Sequence, residues 1–149
     1  MSDIHPVSQI RVIHSDRLDG KTPQTPGVIR EVSFDGRNPD AAHLSAFRGT
    51  IQPGAATGAH HHGDQETVIY VISGKARLRW GDKLENAAEA GPGDFVLFIP
   101  AHVIHQEINA SSEYETVVAA VRSGVDPIVV NLPELDEYAE PPAIDYTHP

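Results

Sequence analysis

Apolar residues in this chain come in short runs that turns interrupt. Val68-Ile69-Tyr70-Val71-Ile72 and Phe95-Val96-Leu97-Phe98-Ile99 are unbroken, and Val28–Phe34 alternates apolar and polar positions. Runs of this length, rich in β-branched and aromatic residues, read as strands. Residues 43–52 read as a longer strand, with Leu44, Ala46 and Arg48 on one face and Ser45, Phe47 and Ile51 on the other, because residues two apart share a face. Residues 10–13, Ala76–Trp80, 114–121 and 128–130 are further strands, and Ser73-Gly74-Lys75 is a hairpin turn. Residues 87–90 favour a helix by propensity but are too few to stand as one between turns, and read as the end of a strand. No stretch sustains a helical period, and no repeat recurs at solenoid spacing. Twelve prolines and twelve glycines punctuate the strands. The expected fold class is all-β, a sandwich or barrel.

Length and charge narrow the function. At 149 residues the chain is the size of one domain. Its strand core is expected over about 28–131, with an N-terminal arm over 1–27 and a Glu/Pro-rich tail over 132–149 that runs over the surface or onto a partner. With no cysteine, any metal must be held by nitrogen and oxygen ligands. A net charge of -10 argues against nucleic acid, which needs a basic face. Met1-Ser2-Asp3-Ile4-His5-Pro6 has no basic region leading into an apolar stretch, and no apolar run approaches a membrane span. A cytoplasmic protein that does not enter membranes is the expectation.

Chemistry concentrates at His60-His61-His62-Gly63-Asp64-Gln65-Glu66, directly before the apolar run from Val68. Extended backbone aims His60 and His62 the same way and His61 the other way. Glu66 shares their parity if the Gly63-Asp64 turn keeps the register. Neutral imidazoles with one carboxylate suit a borderline divalent metal. A second segment, Pro100-Ala101-His102-Val103-Ile104-His105, follows the other apolar run. A neighbouring strand lies only about 4.8 Å away, so His105 can complete the site.

Together these segments resemble the two signature motifs of the cupin superfamily. Gly54, His60, His62, Glu66 and Gly74 match the first, G-x5-H-x-H-x3,4-E-x6-G. Gly93, Pro100, His105 and Asn109 match the second, G-x5-P-x-G-x2-H-x3-N. The chain departs from them by one extra residue between Glu66 and Gly74, one between Gly93 and Pro100, and His102 where the pattern has glycine. A β-bulge can absorb an inserted residue. Counting back from Gly74 puts Thr67 at the ligand position; counting forward from His62 puts Glu66 there. Threonine is a poor ligand, which favours Glu66.

The resemblance implies a jelly-roll barrel holding one divalent ion (Fe, Mn, Zn or Ni), with His60, His62, Glu66 and His105 as ligands. It leaves the reaction open. A His-plus-carboxylate set with open positions fits Fe(II) dioxygenase chemistry on a small oxygen-rich or aromatic substrate. The alternatives are a non-redox isomerase or polyketide-cyclase-like enzyme, and a binding or storage module without turnover. His102, Gln106 and Glu107 are candidates to support the ligands, Phe47, Tyr70, Phe98 and Trp80 to wall a pocket, and Arg122, ahead of Arg48, Arg77 and Arg79, to clamp an anion. Asn109 reads as a residue that ties turn backbone. Small barrels of this kind commonly pair, so a C2 homodimer is expected.

Overall fold

This computed structural model describes residues 10–144. Ten strands form among the described residues: β1 Val28–Phe34, β2 Leu44–Ile51, β3 His60–His61, β4 Thr67–Ser73, β5 Ala76–Trp80, β6 Asn86–Ala90, β7 Phe95–Ile99, β8 His105–Asn109, β9 Thr116–Ser123 and β10 Val130–Asn131. Two 3-10 turns, Ser15–Arg17 and Pro133–Glu137, are the helical elements among the described residues, and neither is long and apolar enough to cross a membrane. The strands pair antiparallel in two five-stranded sheets, ordered β1-β2-β9-β4-β7 and β10-β3-β8-β5-β6. The architecture is an all-β jelly roll.

Strict alternation sends one face of each strand inward. On β4, Thr67, Ile69 and Val71 are buried while Val68, Tyr70 and Ile72 are exposed; on β9, Thr116, Val118, Ala120 and Arg122 are buried. Ile69, Val71, Ala76, Leu78, Ile99, Val118 and Ala120 make the core between the sheets, and Phe47 and Trp80 pack against it.

Most expected strands form within a residue or two. Residues 87–90 lie in β6, paired along β5. The strand expected from 114 begins at Thr116, because the Ser111 hydroxyl accepts from the Glu113 and Tyr114 amides and holds that stretch in a turn. Residues 10–13 are not a strand. Ile10 is 97% exposed and Val12 72% exposed, so neither has a sheet to cover it. Residues 1–9 of the expected arm and 145–149 of the tail lie outside the described residues.

Two polar anchors position the barrel ends. Asn109 is buried and reaches the Ile51, Gln52 and Tyr114 carbonyls with its amide, while its Oδ1 accepts from the Ser111 amide and the Thr116 hydroxyl. It is the backbone tie its residue type predicts. The tail crosses the outer face of the second sheet. Arg79 donates to the Tyr138 and Ala139 carbonyls at 3.0 Å, Arg77 donates to the Pro141 carbonyl, and the Ile144 amide donates to Ala87.

Candidate metal centre

His60 on β3 pairs directly with His105 on β8. Both side chains turn inward, and His62, two residues on from His60, turns inward with them. The three are buried, and one ring nitrogen from each lies within 4.8 Å of the others. His61 faces the opposite way, where its Nδ1 accepts from the Gly63 amide. The expected alternation holds.

Backbone carbonyls fix the three rings. Nδ1 of His60 lies 2.7 Å from the Gly58 carbonyl, that of His62 2.8 Å from Ile128, and that of His105 3.0 Å from Val103. A carbonyl only accepts, so each Nδ1 carries the proton and each Nε2 keeps its lone pair. This is the outer support that metal-binding histidines use to set tautomer and orientation. His105 Nε2 is buried with no hydrogen-bond partner. An orphaned buried acceptor is costly, and a divalent ion among three lone pairs would satisfy it. The donor set fits a metal.

The fourth expected ligand does not join them. Glu66 is exposed, and its backbone pairs with Ser123. The inward face of β4 begins at Thr67, so Glu66 has outward parity. The Gly63–Gln65 turn shifts the register by one relative to the histidines. Thr67 is therefore the residue that counting back from Gly74 identifies. It pairs across the sheet with Arg122, whose Nε donates to the Thr67 hydroxyl at 3.2 Å. The same guanidinium donates to His62 Nε2 at 3.2 Å, so that lone pair accepts from Arg122.

Burial sets the charge state. It pushes His62 down to about 2, helped by Arg122, and His105 down to about 4. Both are neutral at neutral pH, as ligation requires. Burial lowers Arg122 to about 10, which leaves it a cation. Glu107, two residues beyond His105, also faces the barrel interior. Burial pushes its carboxyl up, but His60, His105, Arg122 and Arg30 outweigh that and hold it below the usual range. A cleft of about 570 Å³ opens onto His105, walled by Leu78, Trp80, Phe95, Phe98, Val103 and Ile144. That volume suits a small organic molecule.

A cupin domain family profile matches residues 47–122, just over half of the chain. The chain belongs to the cupin family. No curated protein sequence matches it. Among solved structures it is similar to the polyketide cyclase RemF from Streptomyces resistomycificus, at 22% identity over 83% of this chain and 86% of that one, with a TM-score of 0.68. It is also similar to an uncharacterized conserved protein with a double-stranded β-helix domain from Klebsiella pneumoniae (17% identity, 83% and 97% covered, TM-score 0.63). A mutant of Bacillus subtilis oxalate decarboxylase matches at 23% identity over 78% of this chain but 31% of that one, with a TM-score of 0.66. These likenesses show the fold.

The other candidates divide by strand parity. Phe98 and Trp80 line the cleft. Phe47 lies inside this cupin's barrel, against Arg30 and Arg122. Tyr70 does not wall the pocket; it is on the outer face of β4, against Phe95. Gln106 faces outward and braces Arg79 and the Thr57 carbonyl. His102 sits at a surface turn with φ +63°, keeping the backbone of the glycine it replaces, and pairs with Asp64 at 2.7 Å. Arg48 pairs with Glu31 on the outside, and Arg77 and Arg79 hold the tail. Arg30 was not a sequence candidate. Its signal is its place two residues after Val28 on an alternating strand, which turns it inward.

His62→Ala and His105→Ala are expected to lose more metal affinity than the roughly 10–100-fold that loss of an outer partner costs, while His61→Ala and Glu66→Gln keep it. Metal content of the four purified variants checks this; metal loss in Glu66→Gln would return that carboxylate to the site.

The depressed histidines also set a pH dependence for the metal-free protein. Unfolded imidazoles protonate near 6.5, while His105 in the fold resists to about 4 and His62 to about 2. Above 6.5 neither affects stability. As pH falls from 6.5 towards 4, the unfolded chain takes protons the fold refuses, and stability drops by about 1.4 kcal/mol per pH unit for each histidine. Urea unfolding at pH 7.5 and 5 should show a lower midpoint at pH 5; equal midpoints would contradict it.

Proposed function

We propose that this cupin is a metal-dependent enzyme using a three-histidine-bound divalent ion as a non-redox Lewis acid, in an isomerisation or cyclisation of a small ketone- or enol-bearing molecule. The observation that carries this reading is the convergence of three Nε2 acceptors beside an apolar cleft, with no carboxylate among them, the His62 one held by Arg122. Zn, Mn or Ni all suit such a set. The ion would supply charge to a substrate carbonyl or acidify a bound water. Three neutral ligands leave its full charge available for that.

The chain's own residues do the rest. Leu78, Trp80, Phe98 and Val103 take the apolar body of the substrate and exclude water from it. The Gly58, Ile128 and Val103 carbonyls hold the imidazoles in place. The similarity to a structure named as a polyketide cyclase agrees with this reading. Fe(II) dioxygenase chemistry drew its support from a histidine-plus-carboxylate set, and Glu66 on the outside removes that support.

Protein reconstituted separately with Zn, Mn, Ni and Fe(II) and offered a panel of polyketones and hydroxyaromatic ketones tests the proposal. Turnover with Zn and no oxygen uptake is expected. Turnover only with Fe(II), matched by oxygen consumption, would establish the dioxygenase instead. Saturable binding without turnover with every metal would make the protein a binding module.

The homodimer is also our proposal. Ile29, Val68, Tyr70, Ile72 and Val121 are exposed on the first sheet, on the face opposite the core. An apolar patch of this kind marks an interaction surface, and a second copy is the occupant we assign. Light scattering is expected to give a dimer at micromolar concentration and a monomer for Tyr70→Glu. A wild-type monomer would end the proposal.

A further inference from the structure

We propose that the ligand of this site is an anion, a carboxylate or enolate carried on an apolar body, and that Arg122 holds its charged end beside the metal position. The inference rests on the metal reading above and goes beyond it by naming the substrate's charge and the residue that selects it.

The first observation is what replaces the fourth ligand. At the inward position opposite Arg122 the chain has Thr67, not an acid. Arg122 donates to its hydroxyl and reaches His62 Nε2 with the other arm of the same guanidinium. The side chain that neighbours the ligand lone pairs is thus a cation. A metal ion that takes the His62 lone pair would displace this hydrogen bond and free one arm of a cation beside it for another acceptor.

The second observation is the charge balance of the barrel interior. Arg30 and Arg122 are 5% and 4% exposed. Their guanidinium carbons lie 4.6 and 5.3 Å from the Phe47 ring centre, so a π face serves both. Glu107 is the carboxylate that offsets them. Adding a divalent ion sets two guanidiniums and that ion against one carboxylate, in an interior that screens charge poorly. Like charges in such a place need a counter-anion, and the ligand is the group that can bring it.

The third observation is unfilled hydrogen-bonding capacity. Arg30 Nε is a buried donor without a partner, whereas the orphaned His105 Nε2 is an acceptor that only a metal ion or a donor would serve. Native structures rarely leave such atoms unpaired unless a ligand or ion serves them. A planar oxyanion accepts in two directions and pairs well with a guanidinium fork.

The cleft supplies the other half of the ligand. It touches the cluster at His105, while Arg122 touches it at His62. The two rings are 5.1 Å apart. A molecule with its apolar part against Trp80, Phe98 and Val103 would therefore bring its head group past His105 toward Arg122.

The test uses Co(II) as a visible-spectrum probe, with benzoate and benzamide as ligands of one shape and different charge. Wild-type protein loaded with Co(II) is expected to bind benzoate at least about tenfold more tightly than benzamide. Arg122→Gln should bind Co(II) no less tightly, because a neighbouring cation is gone, and should lose the preference for benzoate. Arg122→Lys should keep part of it. Equal affinity for the two ligands in wild-type protein, or an unchanged preference in Arg122→Gln, overturns the proposal while the metal reading stands. Should Arg122→Gln fail to fold, the wild-type comparison and Arg122→Lys decide. If wild-type protein takes up no Co(II), the metal reading fails and this inference falls with it.

Discussion

Three hydrogen bonds, from Nδ1 of His60, His62 and His105 to the Gly58, Ile128 and Val103 carbonyls, are the constraint on which the site depends. They fix each ring's tautomer, and so leave three lone pairs inside the barrel. The carbonyls are backbone groups held by the fold, and two of them lie two residues before the ring they orient. Local extended geometry therefore builds most of the support. Only His62 relies on a distant segment, through Ile128, just before β10.

That arrangement makes the interior a place of unusual charge for a jelly roll. Its sheets enclose two buried guanidiniums, a carboxylate and three imidazoles beside a compact apolar core. Strand register decides which residues enter. β4 and β9 align Thr67 with Arg122, and β3 and β8 align His60 with His105. A slip of one residue would exchange every inward side chain for an outward one. Glu66, one residue from Thr67, falls on the solvent side for this reason.

Much of this was legible in the sequence. Period-two alternation placed His60 and His62 together and His61 apart, and the apolar runs located β4 and β7. The motif pair gave the fold. Glu66 lies outside the histidine cluster because a three-residue turn separates it from His62, and parity does not carry through a turn. Only the strand after the turn, read from its buried Ile69 and Val71, reports the true register. Arg30 escaped notice as an interior group because buried charge is rare, although its strand position predicts it. The cleft depends on β5, β7 and the returning tail meeting in space, which no local pattern encodes.

The account's central claim is that three neutral imidazoles, protonated at Nδ1, offer Nε2 to one ion. Long-range proton–nitrogen correlation spectra of ¹⁵N-histidine-labelled protein report it directly. At neutral pH the metal-free protein should show His60, His62 and His105 as Nδ1–H tautomers. One equivalent of zinc should move the Nε2 resonances of those three and leave His61 and His102 in place. Protonated Nε2 atoms in the metal-free protein, or a zinc-induced shift at Nδ1, would contradict it.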